Sequence, residues 1–414
     1  MLASSFLIAV LGIRQVASLP ADNSTVYFSG LQSALSQAGL NNIWNAITVA
    51  NTTQSGPGLI SGLFSDDEYT IYAPVDAAWQ ASGLTDPPAN GDLVSLLAYH
   101  IVQATLNSST DIAPSRHHTI AFTELRSPTI DLPGDQTQVI VLQTAENATT
   151  GASPDNTTIL IRGDSWNATS AGAQFTYKNL FIQPVDKILA VPSPLLKTLS
   201  QSGLALEANL GATSAVNNIA SLGLNDTVAT CHGCTFFIPV NSAFDNDTAN
   251  GNFSSFNATD QTSVLLNHII NGSVVYSPDL RDGSVYVTAA GQPLTYLSSG
   301  SDPFVSVGKY RAGIVRSDIP VSNGVVHLID TMLVETNDNS QRASEAASSA
   351  SSEAQSRTTT TDVIGVGGST SIATTTTTAT TSATPSENAA VPRLNRSAIA
   401  CWSFLIAIVG THWL

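Results

Sequence analysis

The sequence predicts two tandem α+β domains followed by a Ser/Thr-rich stalk. Three observations predict this organisation. Several segments occur twice along the chain, each copy shows helix-like and then strand-like apolar patterns, and apolar periodicity is lost after Thr336. Each copy is about 150 residues long, which is enough for a hydrophobic core of its own. We place domain 1 at residues 26–191 and domain 2 at residues 192–336.

Four pairs of similar segments define the repeat. The pairs are LSQAGL at Leu35–Leu40 with LSQSGL at Leu199–Leu204, TIYAPVDAAW at Thr70–Trp79 with TFFIPVNSAF at Thr235–Phe244, LAYHIV at Leu97–Val102 with LNHII at Leu266–Ile270, and NLFIQPVDKILAV at Asn179–Val191 with NGVVHLIDTMLVE at Asn323–Glu335. The last pair has the shortest separation, which predicts an insertion in domain 1. We expect a glycosylated surface loop at Glu146–Gly172.

Hydrophobic spacing predicts the elements within each copy. Apolar residues recur at helical spacing in Leu31–Ile47, with a break at Gly39, and in Leu93–Val102. Short apolar runs predict strands that form an antiparallel sheet. These runs are Thr70–Ala73, Val139–Leu142, Ile159–Ile161, Phe175–Ile182, Ser284–Thr288, Leu294–Leu297, Phe304–Val307, Gly313–Val315 and a final strand pair in Val325–Val334. In the repeated block, Pro74 is expected to end a strand, and Asp76 and Asn241 to cap the helices that follow them.

Both ends of the chain resemble processing signals. Residues 1–18 contain an apolar run followed by Val16-Ala17-Ser18, which is typical of a secretory signal peptide. The C-terminus has small residues, a polar spacer and a terminal apolar tail, which predict a glycosylphosphatidylinositol (GPI) anchor attached at Asn388, with 389–414 removed. The alternative is a C-terminal transmembrane helix, which the short tail disfavours.

Composition indicates a sugar-coated extracellular protein. The formal net charge is −16, and no cluster of Lys and Arg is present, so nucleic acid is not an expected partner. Sequons for N-glycosylation are dense. They lie at Asn23, Asn51, Asn107, Asn147, Asn156, Asn167, Asn225, Asn246, Asn252, Asn257 and Asn271, with one more at Asn395 in the predicted propeptide. Residues 337–388 have the composition of a disordered, O-glycosylated stalk.

The cysteines favour a structural role. Of the three cysteines, Cys401 lies in the predicted propeptide, which leaves Cys231 and Cys234 as a pair in an oxidising compartment. One Cys-x-x-Cys cannot supply four zinc ligands, and this one leads into a strand rather than a helix. We therefore expect a local disulfide, with a thiol oxidoreductase as the alternative.

Other candidate chemistry is weak in this sequence. His100, His268 and His327 lie in apolar segments, where a histidine is expected to tie elements together by hydrogen bonds. The adjacent pair His117-His118 has no acidic or cysteine ligand near it in the sequence. The sequence contains no Gly-x-Ser-x-Gly elbow and no phosphate-binding glycine loop. We expect no catalytic residues, no metal and no cofactor.

The repeated blocks resemble those of the fasciclin-like domain family. The resemblance rests on the shared T-[IF]-[YF]-x-P-V-[DN]-x-A-[WF] run, on the Tyr99-His100 pair and on NGVVHLIDTMLV in domain 2. It implies two tandem domains, each a β-sandwich or wedge with packed helices, and a role in adhesion without enzymatic activity. With a signal peptide, a stalk and an anchor, the organisation is similar to that of fungal cell-surface members.

The resemblance also implies binding positions and partners. In animal members a Tyr-His segment and an Asp-Ile pair are implicated in integrin binding. Matching positions here are Tyr99, His100 and Ile101 in domain 1 and Asp318 and Ile319 in domain 2, with His268 and His327 as further candidates. Expected partners are a cell-surface, matrix or wall ligand, protein or polysaccharide, and the outer membrane leaflet through the anchor. The alternative function is a structural wall or glycan-binding protein.

Overall fold

The computed structural model describes residues 21–85, 87, 89–108, 110–113, 117–145, 158–201, 210–245, 253–299, 302–356 and 363–365. The predicted signal peptide, anchor site and propeptide lie outside these residues. Both domains belong to one compact unit. No helix in the described part of the chain combines the length and apolarity that crossing a bilayer requires.

The predicted α+β class is confirmed. The helices of the described residues are α1 Ala21–Gln37, α2 Asn41–Ala50, α3 Gly56–Gly62, α4 Asp76–Ser82, α5 Gly91–Tyr99, α6 Leu195–Ser200, α7 Thr213–Ser221, α8 Asn225–Ala229, α9 Asn241–Asp245, α10 Ala258–Leu266 and α11 Ser340–Ser356. Short 3-10 turns lie at Pro133–Asp135, Phe253–Ser255 and Ser277–Asp279.

Strands outnumber helices in the described residues. Those of domain 1 are β1 Tyr69–Pro74, β2 Ile101–Val102, β3 Thr119–Phe122, β4 Val139–Thr144, β5 Ile159–Arg162, β6 Asn167–Thr169, β7 Phe175–Tyr177 and β8 Leu180–Val185. Those of domain 2 are β9 Cys234–Pro239, β10 Ile269–Ile270, β11 Val285–Val287, β12 Pro293–Ser299, β13 Asp302–Val307, β14 Tyr310–Val321 and β15 Gly324–Ile329.

One sheet in each domain is mixed, which corrects the expectation of a purely antiparallel sheet. Domain 1 has one sheet in the order β2-β1-β8-β7 and a second in the order β3-β4-β5-β6. Domain 2 has a single seven-stranded sheet in the order β10-β9-β15-β14-β13-β12-β11. In both domains the strand of the repeated block pairs in parallel with the closing strand, β1 with β8 and β9 with β15. The other strand pairs within these sheets are antiparallel.

Each domain packs its helices on its parallel strand pair. In domain 1, Leu31, Ile43 and Trp79 from three helices form a buried cluster with Ile71 of β1 and Ile182 of β8. The matching cluster of domain 2 contains Leu199 and Ile219 from helices and Phe236 and Val326 from β9 and β15. Helices α1 and α2 are separated at Gly39, whose φ of 71° ends the first helix as predicted.

Four predicted segments differ from the structure. The predicted strand pair in Val325–Val334 is the single strand β15, Gly324–Ile329, and residues 330–334 are not in a strand. The predicted helix Leu93–Val102 ends at Tyr99, and Ile101–Val102 is strand β2. Phe175–Ile182 forms a hairpin of β7 and β8 rather than one strand, with Lys178 at a φ of 52° in the turn. The described part of the predicted loop Glu146–Gly172 contains strands β5 and β6, which extend the second sheet of domain 1.

The first part of the predicted stalk folds onto the domains. Asn339 caps helix α11, because its Oδ1 accepts a hydrogen bond of 3.0 Å from the amide of Arg342. Beyond the helix, Ile364 exchanges backbone hydrogen bonds of 2.8 and 3.0 Å with Ile120 of β3. The rest of the stalk lies outside the described residues.

Candidate functional site

His100 ties the end of helix α5 to the segment after β8. Its Nδ1 lies 2.8 Å from the carbonyl oxygen of Leu96, and its Nε2 accepts a hydrogen bond of 2.9 Å from the amide of Leu189. Because one ring nitrogen faces a carbonyl and the other an amide, the ring is the neutral tautomer with the proton on Nδ1. The side chain is buried, so it holds the backbone and presents nothing to solvent.

His268 repeats this arrangement in domain 2. Its Nδ1 lies 2.8 Å from the carbonyl oxygen of Val264, and its Nε2 accepts a hydrogen bond of 3.0 Å from the amide of Leu333. Burial lowers the pKa of both His100 and His268 from 6.5 to about 4, with only partial compensation by the carbonyl hydrogen bonds. Both rings are therefore neutral at physiological pH.

The neighbours of His100 are also buried. The hydroxyl of Tyr99 donates a hydrogen bond of 3.1 Å to the carbonyl oxygen of Val139, and Ile101 pairs with Ile71 in the first sheet. Tyr99 is 1 % exposed and Ile101 is 3 % exposed. The Tyr-His segment therefore faces the core of domain 1, away from any external ligand.

Asp318 lies where the two domains meet. Its φ is 58°, and its carboxylate accepts hydrogen bonds from the amide of Ser277, at 2.7 Å, and from the hydroxyl of the same residue. The third contact comes from domain 1: Nδ1 of His118 lies 2.6 Å from Oδ2 of Asp318. The side chain of Asp318 is fully buried by these contacts.

The electrostatics of this cluster keep Asp318 ionised. Burial alone raises the pKa of the Asp318 carboxyl, but the hydrogen bond and charge of His118, the charge of His327 and the hydrogen bond from Ser277 outweigh it. The pKa of Asp318 is therefore lower than usual. The sequence offers His118 only as half of a histidine pair, and its pairing with Asp318 could not be predicted because the two residues are 200 positions apart.

His327 and Ile319 support the cluster from within domain 2. Nε2 of His327 donates a hydrogen bond of 2.9 Å to the carbonyl oxygen of Val275, and the ring stacks on Phe237 with centroids 5.2 Å apart. Burial lowers the pKa of His327, although the charge of Asp318 opposes this shift. Ile319 is 1 % exposed and belongs to the core of domain 2.

An apolar cluster also joins the two domains. Ile120, Val139 and Val141 of domain 1 form one buried cluster with Tyr276 and Val325 of domain 2. Nε2 of Gln138 also donates a hydrogen bond of 2.7 Å to the carbonyl oxygen of Val321. Among the seven predicted binding residues, Asp318 joins the two domains through His118, and the other six are buried within their own domains. Within the described ranges, no group of three or more His, Cys, Asp or Glu residues could hold a metal ion.

Comparison with known proteins decides the family. The fasciclin domain model matches residues 27–192 and 211–335. The chain belongs to the fasciclin domain family. As a fasciclin protein, it carries the domain in tandem, as the repeat predicts.

One curated relative and one solved structure illustrate what this fasciclin chain is similar to. It is 26% identical over 261 residues to a fasciclin-like arabinogalactan protein of the fungus Arthroderma benhamiae. That match covers 61% of this chain and 54% of the relative, so it spans about half of the relative's length. Among solved structures, a FAS1 domain pair from the insect cell adhesion molecule Fasciclin I is 17% identical, with a TM-score of 0.33, covering 76% of this chain and 98% of that one.

Cys231 and Cys234 are joined in a disulfide, with their Cα atoms 6.0 Å apart. Cys234 begins strand β9 and is fully buried, whereas Cys231 is half-buried. The pair lies at the entry to the repeated block of domain 2.

The predicted glycosylation sites that the structure describes are mostly accessible. Asn51, Asn107, Asn225 and Asn257 are exposed, while Asn167 and Asn271 are half-buried. Asn23 lies in helix α1. The sequons at Asn147, Asn156, Asn246 and Asn252 lie outside the described residues. Occupancy of all these sites remains a prediction.

Proposed function

We propose that this fasciclin protein is a GPI-anchored surface glycoprotein whose domain pair mediates cell–cell or cell–matrix contact. The observation that carries the proposal is the tandem fasciclin match over most of the folded region. The exposed sequons at Asn51, Asn107, Asn225 and Asn257 and the predicted signal and anchor support a position outside the plasma membrane or in the wall.

The geometry favours recognition by the outer surface of the domain pair. Tyr99, His100 and Ile101 are buried, and Asp318 is engaged by Ser277 and His118. A ligand can reach these groups only if a domain opens, which costs the hydrogen bonds described above. We infer that the ligand, a protein or polysaccharide of a neighbouring cell, matrix or wall, binds exposed residues instead.

A structural wall or glycan-binding role is the second candidate. It is favoured by the likeness to a protein named as arabinogalactan protein. A thiol oxidoreductase is disfavoured because Cys234 begins strand β9, whereas the reactive thiol of such enzymes is usually stabilised at a helix N-terminus.

Attachment of cells that display the full chain tests the proposal. Display should increase attachment to other cells, to matrix protein or to wall polysaccharide, relative to cells that display an unrelated anchored glycoprotein at equal density. Binding to purified polysaccharide without any gain in attachment would favour the structural role. Equal attachment of both cell types, with no polysaccharide binding, would contradict both candidates.

The anchor has its own test. Treatment of intact cells with a phospholipase C specific for phosphatidylinositol should release the protein, as expected for a GPI-linked chain. Retention on the cell after treatment, together with a C-terminal epitope after Asn388 in the mature protein, would support a transmembrane tail instead.

A further inference from the structure

The loop between helix α8 and strand β9 touches both domains. We propose that this loop, Cys231–Cys234 with its disulfide, is a clasp that holds domain 2 against domain 1 and that opens when the disulfide is reduced. We call it the clasp loop.

Domain 2 holds the clasp loop from one side through Asn323. The side-chain amide of Asn323 donates hydrogen bonds of 2.9 Å to the carbonyl oxygen of Val228 and 3.0 Å to that of Cys231. The carbonyl oxygen of Asn323 accepts a hydrogen bond of 2.9 Å from the amide of Cys234. Asn323 is 4 % exposed, so the loop is anchored to the turn between β14 and β15 by buried hydrogen bonds.

Domain 1 meets the tip of the clasp loop at Asp131 and Pro133. The amide of Gly233 donates a hydrogen bond of 3.2 Å to the carbonyl oxygen of Asp131. A Cβ atom at Gly233 would lie 2.1 Å from Cδ of Pro133, and Gly233 has a φ of 65°. Glycine therefore allows both the turn of the loop and its close approach to domain 1.

His232 adds a weaker contact. Its Nδ1 pairs with the carboxylate of Asp131, but both side chains are more than half exposed, so water screens the pair. The backbone of Asp131 is fixed separately, because its amide donates a hydrogen bond of 2.7 Å to the carbonyl oxygen of Ser322 in domain 2. The clasp thus depends mainly on backbone contact and on the packing of Gly233 against Pro133.

The segment of domain 1 that the clasp loop contacts is supported from another side by helix α11. A Cβ atom at Gly134 would lie 2.2 Å from the carbonyl oxygen of Ala354. The turn at Pro133–Asp135 therefore lies between the clasp loop and α11, and movement of the clasp loop removes one of its two supports.

The corresponding loop of domain 1 shows what the disulfide adds. Asn179 occupies the position of Asn323, and its side-chain amide donates to the carbonyl oxygens of Leu63, Ser65 and Asp67, at 3.1, 3.2 and 2.8 Å. The loop of domain 1 has no cysteines, and Asn179 holds it within its own domain. The disulfide is found in the copy whose loop also contacts the other domain, which points to a role in that contact.

Opening of the clasp is a two-electron reduction by a dithiol. The dithiol gives two electrons and two protons to the bond between Cys231 and Cys234, which becomes two thiols, and is itself oxidised to a disulfide. The freed loop no longer holds Gly233 against Pro133, and the backbone hydrogen bond to Asp131 is lost.

Hydrogen exchange of the full secreted chain tests the clasp. After dithiol reduction, and in the double variant Cys231→Ser with Cys234→Ser, the amide of Gly233 should exchange about tenfold faster, the effect of losing its one ordinary hydrogen bond to Asp131. Amides in the core of β9, such as Phe236, should keep their protection. Mass spectrometry checks that reduction has added two hydrogens.

A glycine pair provides a matched control. Gly233→Ala keeps the disulfide but places a methyl group against Pro133, so the amide of residue 233 should also exchange faster once its intrinsic rate is corrected for. Gly223→Ala has a similar φ of 68° with nothing within 4 Å of the added Cβ, and should leave the exchange of the Gly233 amide unchanged. If neither reduction nor the double serine variant alters exchange of the Gly233 amide, the disulfide is only a local link within domain 2 and the proposal is wrong.

Discussion

At the residue scale, the histidines of the two copies act as internal connectors. His100 and His268 each join the carbonyl at the end of a helix to an amide after the closing strand, in the same geometry. Lysine could not replace the histidine because it has no acceptor atom, and glutamine lacks the rigid ring that holds donor and acceptor apart. The two copies share this geometry because each histidine connects the same two backbone segments of its domain.

Replacing His268 with alanine tests this role. The variant leaves the carbonyl of Val264 and the amide of Leu333 buried without their partner, so the free energy of unfolding should fall by about 2–4 kcal/mol. Denaturant titration of the secreted chain measures it. His232→Ala, at an exposed position, is the matched control and should change stability by less than about 0.5 kcal/mol. Equal stability of the two variants would contradict the connector role.

Acid should weaken the fold through the same two residues. Their pKa is about 4 in the folded protein and 6.5 when solvated, so the unfolded chain binds more protons between these values. Stability is therefore complete above about pH 6.5 and decreases as pH falls toward 4, by up to roughly 3 kcal/mol for each ring. The free energy of unfolding should be lower at about pH 5 than at about pH 7. In His268→Gln this difference between the two pH values should be smaller. A wild-type stability that does not change over this range would contradict the neutral, buried state.

At the element scale, the repeated block caps a different helix from the one expected. Oδ1 of Asp76 accepts a hydrogen bond of 2.8 Å from the amide of Asn42 at the start of α2, and Oδ1 of Asn241 accepts one of 2.8 Å from Ser214 at the start of α7. The helix that Asp76 begins, α4, has no side-chain cap. Asp76 and Asn241 therefore accept capping hydrogen bonds as predicted, but from an earlier helix and not from the helix that follows each residue.

Removal of this cap should destabilise domain 1. Asp76→Ala deprives the first turn of α2 of its acceptor, which should cost about 1 kcal/mol. Asp66→Ala removes the same charge from an exposed position and should cost less. Thermal unfolding of the two variants compares them, and an equal shift of the midpoint would show that charge, not capping, is responsible.

The sequence predicted elements better than their pairing. Helices α1, α2 and α5 and most strands follow from local periodicity. The parallel pairs β1–β8 and β9–β15 depend on contacts more than 80 residues apart, which local patterns cannot show. Helix α11 had a weak signal that was missed: Ala343, Ala347, Ala350 and Ala354 recur at helical spacing, and their small side chains allow the helix to lie close to the domains.

At the scale of the whole molecule, the two domains form a joined pair. The family resemblance identified Asp318, but its partner His118 could not be found from sequence, because it lies in the other domain. The same holds for the apolar contact of Ile120 with Tyr276 and Val325. Interfaces of this kind are built from residues whose local patterns resemble those of any core.

Asp318→Asn should weaken the joining of the domains. The amide loses the charge that pairs with His118, so the free energy of unfolding should fall by about 1–3 kcal/mol, and the two domains should melt at more widely separated temperatures. Calorimetry of the secreted chain measures both effects. Asp186→Asn is the control, because Asp186 accepts hydrogen bonds of 2.6 and 2.9 Å from Thr169 within domain 1 and lies at the surface. If both variants change the separation of the transitions equally, the contact of Asp318 with His118 does not couple the domains.

The central claim is that the domain pair is adhesive and that the buried residues of the family motifs do not contact the ligand. A binding measurement on folded protein tests this claim most directly. Secreted wild type, His100→Ala and Asp318→Asn are applied to an array of matrix proteins and wall polysaccharides, at a temperature where each variant is folded. Wild type should bind at least one ligand, and both variants should bind it with the same affinity per folded molecule. If folded His100→Ala or Asp318→Asn protein has lost the binding shown by wild type, the account is contradicted, and these side chains contribute to ligand binding.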